Sequence, residues 1–101
     1  MEDDIIELAK ELMKCYEKMY DFCYCEVDRI IRRKVTDAKL IENILDKILD
    51  IYTEKGFYLF IKLLLYYRTI NPINANAYLQ IMKEQREEEY NDLIKKYQKT
   101  K

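Results

Sequence analysis

The spacing of apolar residues constrains this chain more than any other feature. Between residues 4 and 33 they recur every three or four positions, and the same period returns later in the sequence. The 101 residues include one glycine and one proline, so few positions interrupt a helix. We therefore predict an all-α fold, a compact bundle of about four helices in a single domain spanning residues 1–101, with a long N-terminal helix and a hydrophobic central helix.

The first predicted helix covers about thirty residues, from 4 to 33. Acidic residues begin it and basic residues end it, which suits the helix dipole. Such a helix would be about 45 Å long, more than a compact domain of this size needs. We expect it either to break near Cys25 or to project into a partner. Its apolar positions are Ile5, Leu8, Leu12, Cys15, Tyr16, Met19, Phe22, Cys23, Val27 and Ile30.

The second predicted helix begins at Thr36, whose hydroxyl is an N-cap, with Val35 packing onto Leu40. Gly56 stands where a left-handed residue would end it. The third helix follows from 57 to 68 and has Lys62 as its one charge between residues 57 and 67. A helix that is apolar all round is buried on most sides.

The last predicted helix begins with Asn71 as its N-cap and Pro72 at its first position, and it runs to about Gln98. Residues 83–89 of this helix carry no apolar side chain. Two turns without a core contact indicate a helix that leaves the body, bends or meets a polar surface.

The amino-acid composition disfavours most enzyme classes. The chain has no histidine and no serine, so it has neither a Ser-His-Asp triad nor a Cys-His pair. One glycine is too few for a phosphate-cradling loop or a dinucleotide fingerprint. The common catalytic zinc sites and the Glu-x-x-His di-iron motif need histidine. We predict a protein that is not an enzyme and uses no cofactor.

Three cysteines, Cys15, Cys23 and Cys25, are an odd number without a C-x-x-C motif, and we interpret them as reduced thiols. The acidic pairs Asp46 with Asp50 and Glu17 with Asp21 are routine on helix surfaces, so no metal site is predicted. A signal peptide begins with basic residues, whereas residues 2–4 are acidic, so no signal peptide is predicted. The apolar run at 57–67 is too short to span a bilayer. We predict a cytoplasmic location and no membrane partner.

The strongest candidate site is a protein interface on the third helix, because a small bundle has difficulty covering a helix that is apolar all round. Tyrosine is also enriched at protein contacts. The alternative is that the other helices of the same chain wrap around it. The predicted interface residues are Phe57, Tyr58, Phe60, Ile61, Leu64, Tyr66 and Tyr67.

Two charged surfaces are weaker candidates. The first is a nucleic-acid patch near Tyr20 and Tyr24; its alternative explanation is that cations belong at a helix C-terminus. The second is an acidic partner surface around Arg86; its alternative explanation is a solvated helix face. The basic patch comprises Arg29, Arg32, Arg33 and Lys34, and the acidic surface comprises Glu84, Glu87, Glu88 and Glu89.

The net charge of −1 disfavours nucleic-acid binding, because such proteins usually have a strongly basic balance. We therefore predict a protein-interaction module, an adaptor or inhibitor whose partner is a second copy of the chain or a host protein. Abundant Ile, Lys, Glu and Tyr suggest an AT-rich genome, which together with the small size is compatible with a viral or mobile-element accessory protein. The alternative is a small nucleic-acid-associated protein, a regulator or a ribonucleoprotein subunit, that uses the basic patch.

Overall fold

The computed structural model of the protein describes residues 2–99, except for the side chains of Leu93, Tyr97, Gln98 and Lys99. The described residues form five helices and no strand, which confirms the all-α prediction. The last predicted helix is two helices, so the bundle has one helix more than expected. The helices are α1 (Glu2–Arg32), α2 (Ala38–Leu49), α3 (Glu54–Arg68), α4 (Pro72–Gln85) and α5 (Glu87–Lys99).

Helix α3 lies at the centre of the bundle and packs against α1, α2 and α4. It contributes the largest share of the core, as its nearly uncharged sequence predicts. Helix α1 contributes to this core only from its C-terminal half, through Cys23, Val27 and Ile30. The buried α3 side chains are those of Phe57, Leu59, Phe60, Leu63, Leu64 and Tyr67.

The turn between α1 and α2 differs from the prediction. Lys34 has a φ of 52°, and this left-handed residue ends α1. The amide of Lys34 donates to the carbonyl of Ile31 at 3.3 Å, and the amide of Val35 donates to that of Ile30 at 3.0 Å. The N-cap of α2 is Asp37, not Thr36, because its carboxylate accepts from the amide of Lys39 at 3.0 Å.

Gly56 does not end α2, as the sequence suggested. It lies in the first turn of α3, where its amide donates to the hydroxyl of the N-cap Thr53 at 3.1 Å, and its φ is not positive. A Cβ atom at this position would lie 2.7 Å from the carbonyl oxygen of Ile51 and 2.8 Å from its Cγ2. A glycine is needed here because two backbone segments approach closely.

Arg86 separates α4 from α5, so the predicted last helix bends within its polar stretch. Its side chain is 4% exposed and reaches the turn between α2 and α3. There it donates to the carbonyl of Thr53 at 3.2 Å and to the carbonyl of Ile51. Its guanidinium lies 5.0 Å from the ring centroid of Tyr52. The predicted start of α4 is confirmed, with Asn71 as N-cap.

Polar side chains join α2, α3 and α4. Glu42 of α2 accepts from the hydroxyl of Tyr67 and, at 3.0 Å, from the amide nitrogen of Asn74. One helical turn further, Asp46 accepts from the hydroxyl of Tyr78 at 2.9 Å. Burial, followed by the hydrogen bond to Asp46, raises the pKa of Tyr78. Within residues 2–99, no helix has the length and apolarity needed to cross a membrane.

Candidate protein-interaction surface

The residues predicted as an interface on α3 lie mostly inside the protein. Phe57, Phe60, Leu64 and Tyr67 are buried against the chain's own helices. Ile61 and Tyr66 are half-buried, and Tyr66 donates from its hydroxyl to the carbonyl of Val35 at 2.7 Å. Tyr58 is exposed. The expected surplus of apolar surface on α3 is thus covered within the chain, and α3 needs no second chain to cover these four side chains.

The exposed apolar surface lies instead on the first half of α1. Every residue from 2 to 15 is exposed, and we call this segment the α1 overhang. At about 1.5 Å per residue it is roughly 21 Å long. The molecule measures 49 Å along its longest axis, close to the length of α1 itself, which is about 46 Å by the same rise per residue.

Large apolar side chains of the overhang are open to solvent although they lie on one broad stripe. Ile5 is 67% exposed, Leu8 65% and Leu12 51%, and Ile6 and Met13 are exposed by about half. Single exposed apolar residues are normal on protein surfaces, whereas contiguous groups of exposed apolar side chains are often functional. The length of α1 is compatible with a projecting helix, but the apolar run at 57–67 placed the predicted interface on α3.

Two residues of this stripe, Ile6 and Met13, belong to a seam that the rest of α1 already uses for packing. Its positions alternate in steps of three and four, the spacing of helices that pack side by side. From residue 16 onward the seam lies against the bundle, whereas before residue 16 nothing in the described chain covers it. The seam comprises Ile6, Ala9, Met13, Tyr16, Tyr20, Cys23, Val27 and Ile30.

The overhang meets the body at an open cavity of about 350 Å³. The cavity lies between α1 and the start of α3 and is therefore continuous with the seam. Lys55 stands on its rim, and its ammonium lies 5.9 Å from the ring centroid of Tyr20. The lining residues are Met13, Tyr16, Glu17, Tyr20, Asp21, Thr53 and Lys55.

The charges of the overhang are unevenly distributed along the helix. Residues 2–7 contain four acids and no base, whereas Lys10, Lys14 and Lys18 follow at four-residue intervals. The acids Glu2, Asp3 and Asp4 stabilise the first turn by interacting with the helix dipole. The overhang would be only marginally stable as an isolated helix. It is supported by residues that favour a helix and by the second half of α1, which is anchored in the core.

A second apolar surface is the groove between α3 and α4, of about 460 Å³. Ile61 and Leu64 of the predicted interface line it, together with the exposed Leu65 and Ile73, and Arg68 stands at its edge. Together with the exposed Tyr58, this groove is the part of the predicted α3 interface that remains accessible. Leu65 is 52% exposed, which matches Leu12 of the overhang.

The predicted nucleic-acid patch lies at the end of α1, as expected, but two of its cations have acidic neighbours. Arg29 forms an ion pair with Glu26, and Arg32 lies 2.9 Å from Asp28. Arg33 and Lys34 are exposed. The nearby aromatic rings interact with lysines of α3, since Lys62 lies 5.9 Å from the ring centroid of Tyr24. Nucleic-acid binding by this patch stays a prediction.

The predicted acidic surface spans the break between α4 and α5. Glu84 is exposed near the end of α4, and Glu87, Glu88 and Glu89 form the first turn of α5. Acids in a first turn are favourable in any helix, so this position alone accounts for three of them. Arg86 does not belong to this surface, because it is buried.

In the part of the chain that the structure describes, the cysteines and acidic residues form no metal-binding group. Burial raises the pKa of the Cys23 thiol, so it stays protonated, whereas Cys15 and Cys25 are exposed. Among the described residues, no group of three or more acidic or cysteine side chains is placed to hold a metal ion. Comparison of the chain with protein-family models, curated proteins and solved structures found no match.

Proposed function

We propose that this chain is a non-enzymatic protein-interaction module and that the α1 overhang is its contact surface. One observation carries the proposal: fourteen consecutive exposed residues of a helix present five large apolar side chains on one stripe. Solvent exposure of such a group is unfavourable, at about 25 cal/mol for each Å² of apolar surface. Covering it on a partner recovers that free energy.

The partner surface that fits the overhang is another helix with an apolar stripe. The overhang is part of one continuous helix, and its apolar positions are spaced in steps of three and four, a pattern complementary to a helix or a helix-lined groove. A module of this kind acts by occupying a helix-binding surface, as an adaptor or an inhibitor does. The body of the bundle then serves to hold the second half of α1 in place.

The proposal is tested by capturing binding partners on three immobilised proteins: the wild type, Leu8→Glu and Leu65→Glu. The sample is a native extract supplemented with a differently tagged copy of the chain, so that self-association is scored too. Leu65→Glu is the matched control, because it adds the same charge at an exposed apolar site on α3.

We expect at least one polypeptide to be retained by the wild type and by Leu65→Glu, and its retention to fall at least tenfold with Leu8→Glu. A buried charge in an apolar contact is costly, whereas the fold does not depend on Leu8. If Leu8→Glu retains the same polypeptides at the same level as the wild type, the overhang is not the contact surface and the proposal is wrong.

A further inference from the structure

We infer that the groove between α3 and α4 binds a fatty carboxylate, a single alkyl chain with one anionic head. The groove is a different surface from the α1 overhang, so the inference goes beyond the proposed function and is tested independently of it. Its volume of about 460 Å³ lies within the range of small-molecule sites, which are mostly apolar and carry a few polar groups.

The lining of the groove is mainly apolar. Leu64 and Ala75 are buried and form its deepest part, whereas Leu65 of α3 and Ile73 of α4 are exposed on either side. Ile73 is 81% exposed, more than any other large apolar side chain that the structure describes. An alkyl chain in the groove would cover this surface, and the association is favourable because both partners lose contact with water.

The length of the groove suits one medium-length alkyl chain. Its lining runs from Ile61 to Arg68 on α3 and from Pro72 to Leu79 on α4, about two turns of each helix or roughly 10 Å. Because residues 69–71 alone connect the two helices, the walls run antiparallel, and Arg68 and Pro72 lie at the same end. The groove therefore has one charged end and one apolar end, as a fatty carboxylate has.

The charge of this part of the chain selects an anionic head. All 19 acidic residues lie outside residues 55–83, which contain three lysines and one arginine. The three lysines lie against aromatic rings away from the groove, each within 5.9 Å of a ring centroid. The arginine is Arg68, and it is the only charged side chain among the described residues that line the groove.

The guanidinium of Arg68 is available to a ligand. Arg68 is exposed, and within the described part of the chain its side chain forms no ion pair and no hydrogen bond. Its place in the last turn of α3 suits the helix dipole, which accounts for a cation there but not for the absence of acids along the groove. A guanidinium donates two parallel hydrogen bonds to a carboxylate. With its head at Arg68, the ligand extends its chain towards Ile61 and Leu79.

The first experiment is titration of the isotope-labelled full chain with decanoate, below its micelle concentration, followed by amide NMR. We expect saturable shifts confined to residues 61–79, with a dissociation constant at or below about 1 mM. Decylammonium has the same chain and the opposite charge, and it is expected to bind about tenfold more weakly because Arg68 repels it.

Four results of this titration would overturn the inference. They are no saturable shift with decanoate, equal affinity for decanoate and decylammonium, shifts centred on the α1 overhang, and shifts of residues 61–79 that appear when the protein alone is concentrated. The third result would place the alkyl chain on the overhang, and the fourth would show that a second copy of the chain covers the groove.

The second experiment compares two matched pairs of variants. Arg68→Gln is expected to raise the dissociation constant for decanoate about threefold or more, whereas Arg33→Gln, which removes an exposed cation at the end of α1, leaves it unchanged. Leu65→Ala is expected to raise it by a similar factor, and Leu12→Ala, at a site of nearly equal exposure, to leave it unchanged. Circular dichroism checks that each variant is folded. Equal effects within either pair refute the inference.

Discussion

The buried Arg86 allows the sharpest prediction about stability. Its guanidinium donates to two backbone carbonyls, those of Thr53 and Ile51, in the turn between α2 and α3. Hydrogen bonds from a charged donor contribute about 1.5–3 kcal/mol each, and a buried carbonyl left unpaired costs about 1–3 kcal/mol. Arg86→Met keeps the apolar stem but removes both donors.

Two effects oppose this loss. Desolvation by burial lowers the pKa of Arg86, and removing the buried charge relieves this desolvation penalty. The substitution also removes the buried Nε, which has no hydrogen-bond partner in the described structure. We take the loss of two bonds to exceed these gains, because the buried carbonyl of Ile51 loses its donor, whereas the carbonyl of Thr53 still accepts from the amide of Phe57 at 3.1 Å. The expected destabilisation of Arg86→Met is about 2–4 kcal/mol, a large fraction of the stability of a domain this small.

The assay is urea unfolding followed by helical circular dichroism. With a slope of about 1–3 kcal/mol per molar urea, the midpoint should fall by about 1–3 M at an unchanged slope. Arg86→Lys restores the charge but not the planar fork, so its midpoint should lie between those of the wild type and Arg86→Met. Arg33→Met, which makes the same change at an exposed position, is the control. A change of less than about 0.5 kcal/mol for Arg86→Met would show that the carbonyls are satisfied without it.

Three further predictions concern Gly56 and Lys34 in the turns and the hydroxyl of Tyr78. Gly56→Ala should destabilise the protein by about 1–3 kcal/mol in urea unfolding, because the new Cβ meets the carbonyl of Ile51 at 2.7 Å. The same change usually stabilises a helix, so a stabilised variant would contradict this prediction. Lys34→Gly should raise the melting temperature by about 2–4 °C, since glycine accepts a φ of 52° without strain, and a lower melting temperature would refute it. The raised pKa of Tyr78 means that folding favours its neutral form, so stability holds up to about pH 10 and falls above it. Tyr78→Phe should flatten this decline between about pH 10 and 12, and a decline as steep as that of the wild type would exclude Tyr78 as its source.

Much of the fold could be predicted from the sequence, because its determinants are local. The repeat of three and four positions in α1, the nearly uncharged stretch of α3 and the pair Asn71 and Pro72 each identify a helix without reference to the rest of the chain. Arg86 is different. In the sequence it is one of seven consecutive polar residues, and only the tertiary structure brings it to carbonyls more than thirty positions earlier.

The candidate site could be predicted only in part, for a similar reason. The seam has the same period at Ile6 as at Ile30, so the sequence does not distinguish the half that is covered from the half that is open. The interface was predicted on α3 because this helix has many apolar side chains, but the number of apolar side chains does not determine how exposed they are. The left-handed residue was expected at Gly56, after the second helix, but it is Lys34, after α1, because the chain turns there and glycine is only the most favourable residue for such a turn.

The division of α1 into an anchored half and an open half has a consequence for how the protein changes over evolutionary time. The buried side chains of α1 are Cys23, Val27 and Ile30, whereas every side chain from residue 2 to 15 is exposed. Under the proposed function, a substitution at Leu8 or Leu12 alters what the protein recognises while its thermal stability stays the same. Binding specificity in this architecture is free to diverge at little risk to folding, in a way that a site built within the bundle would not allow.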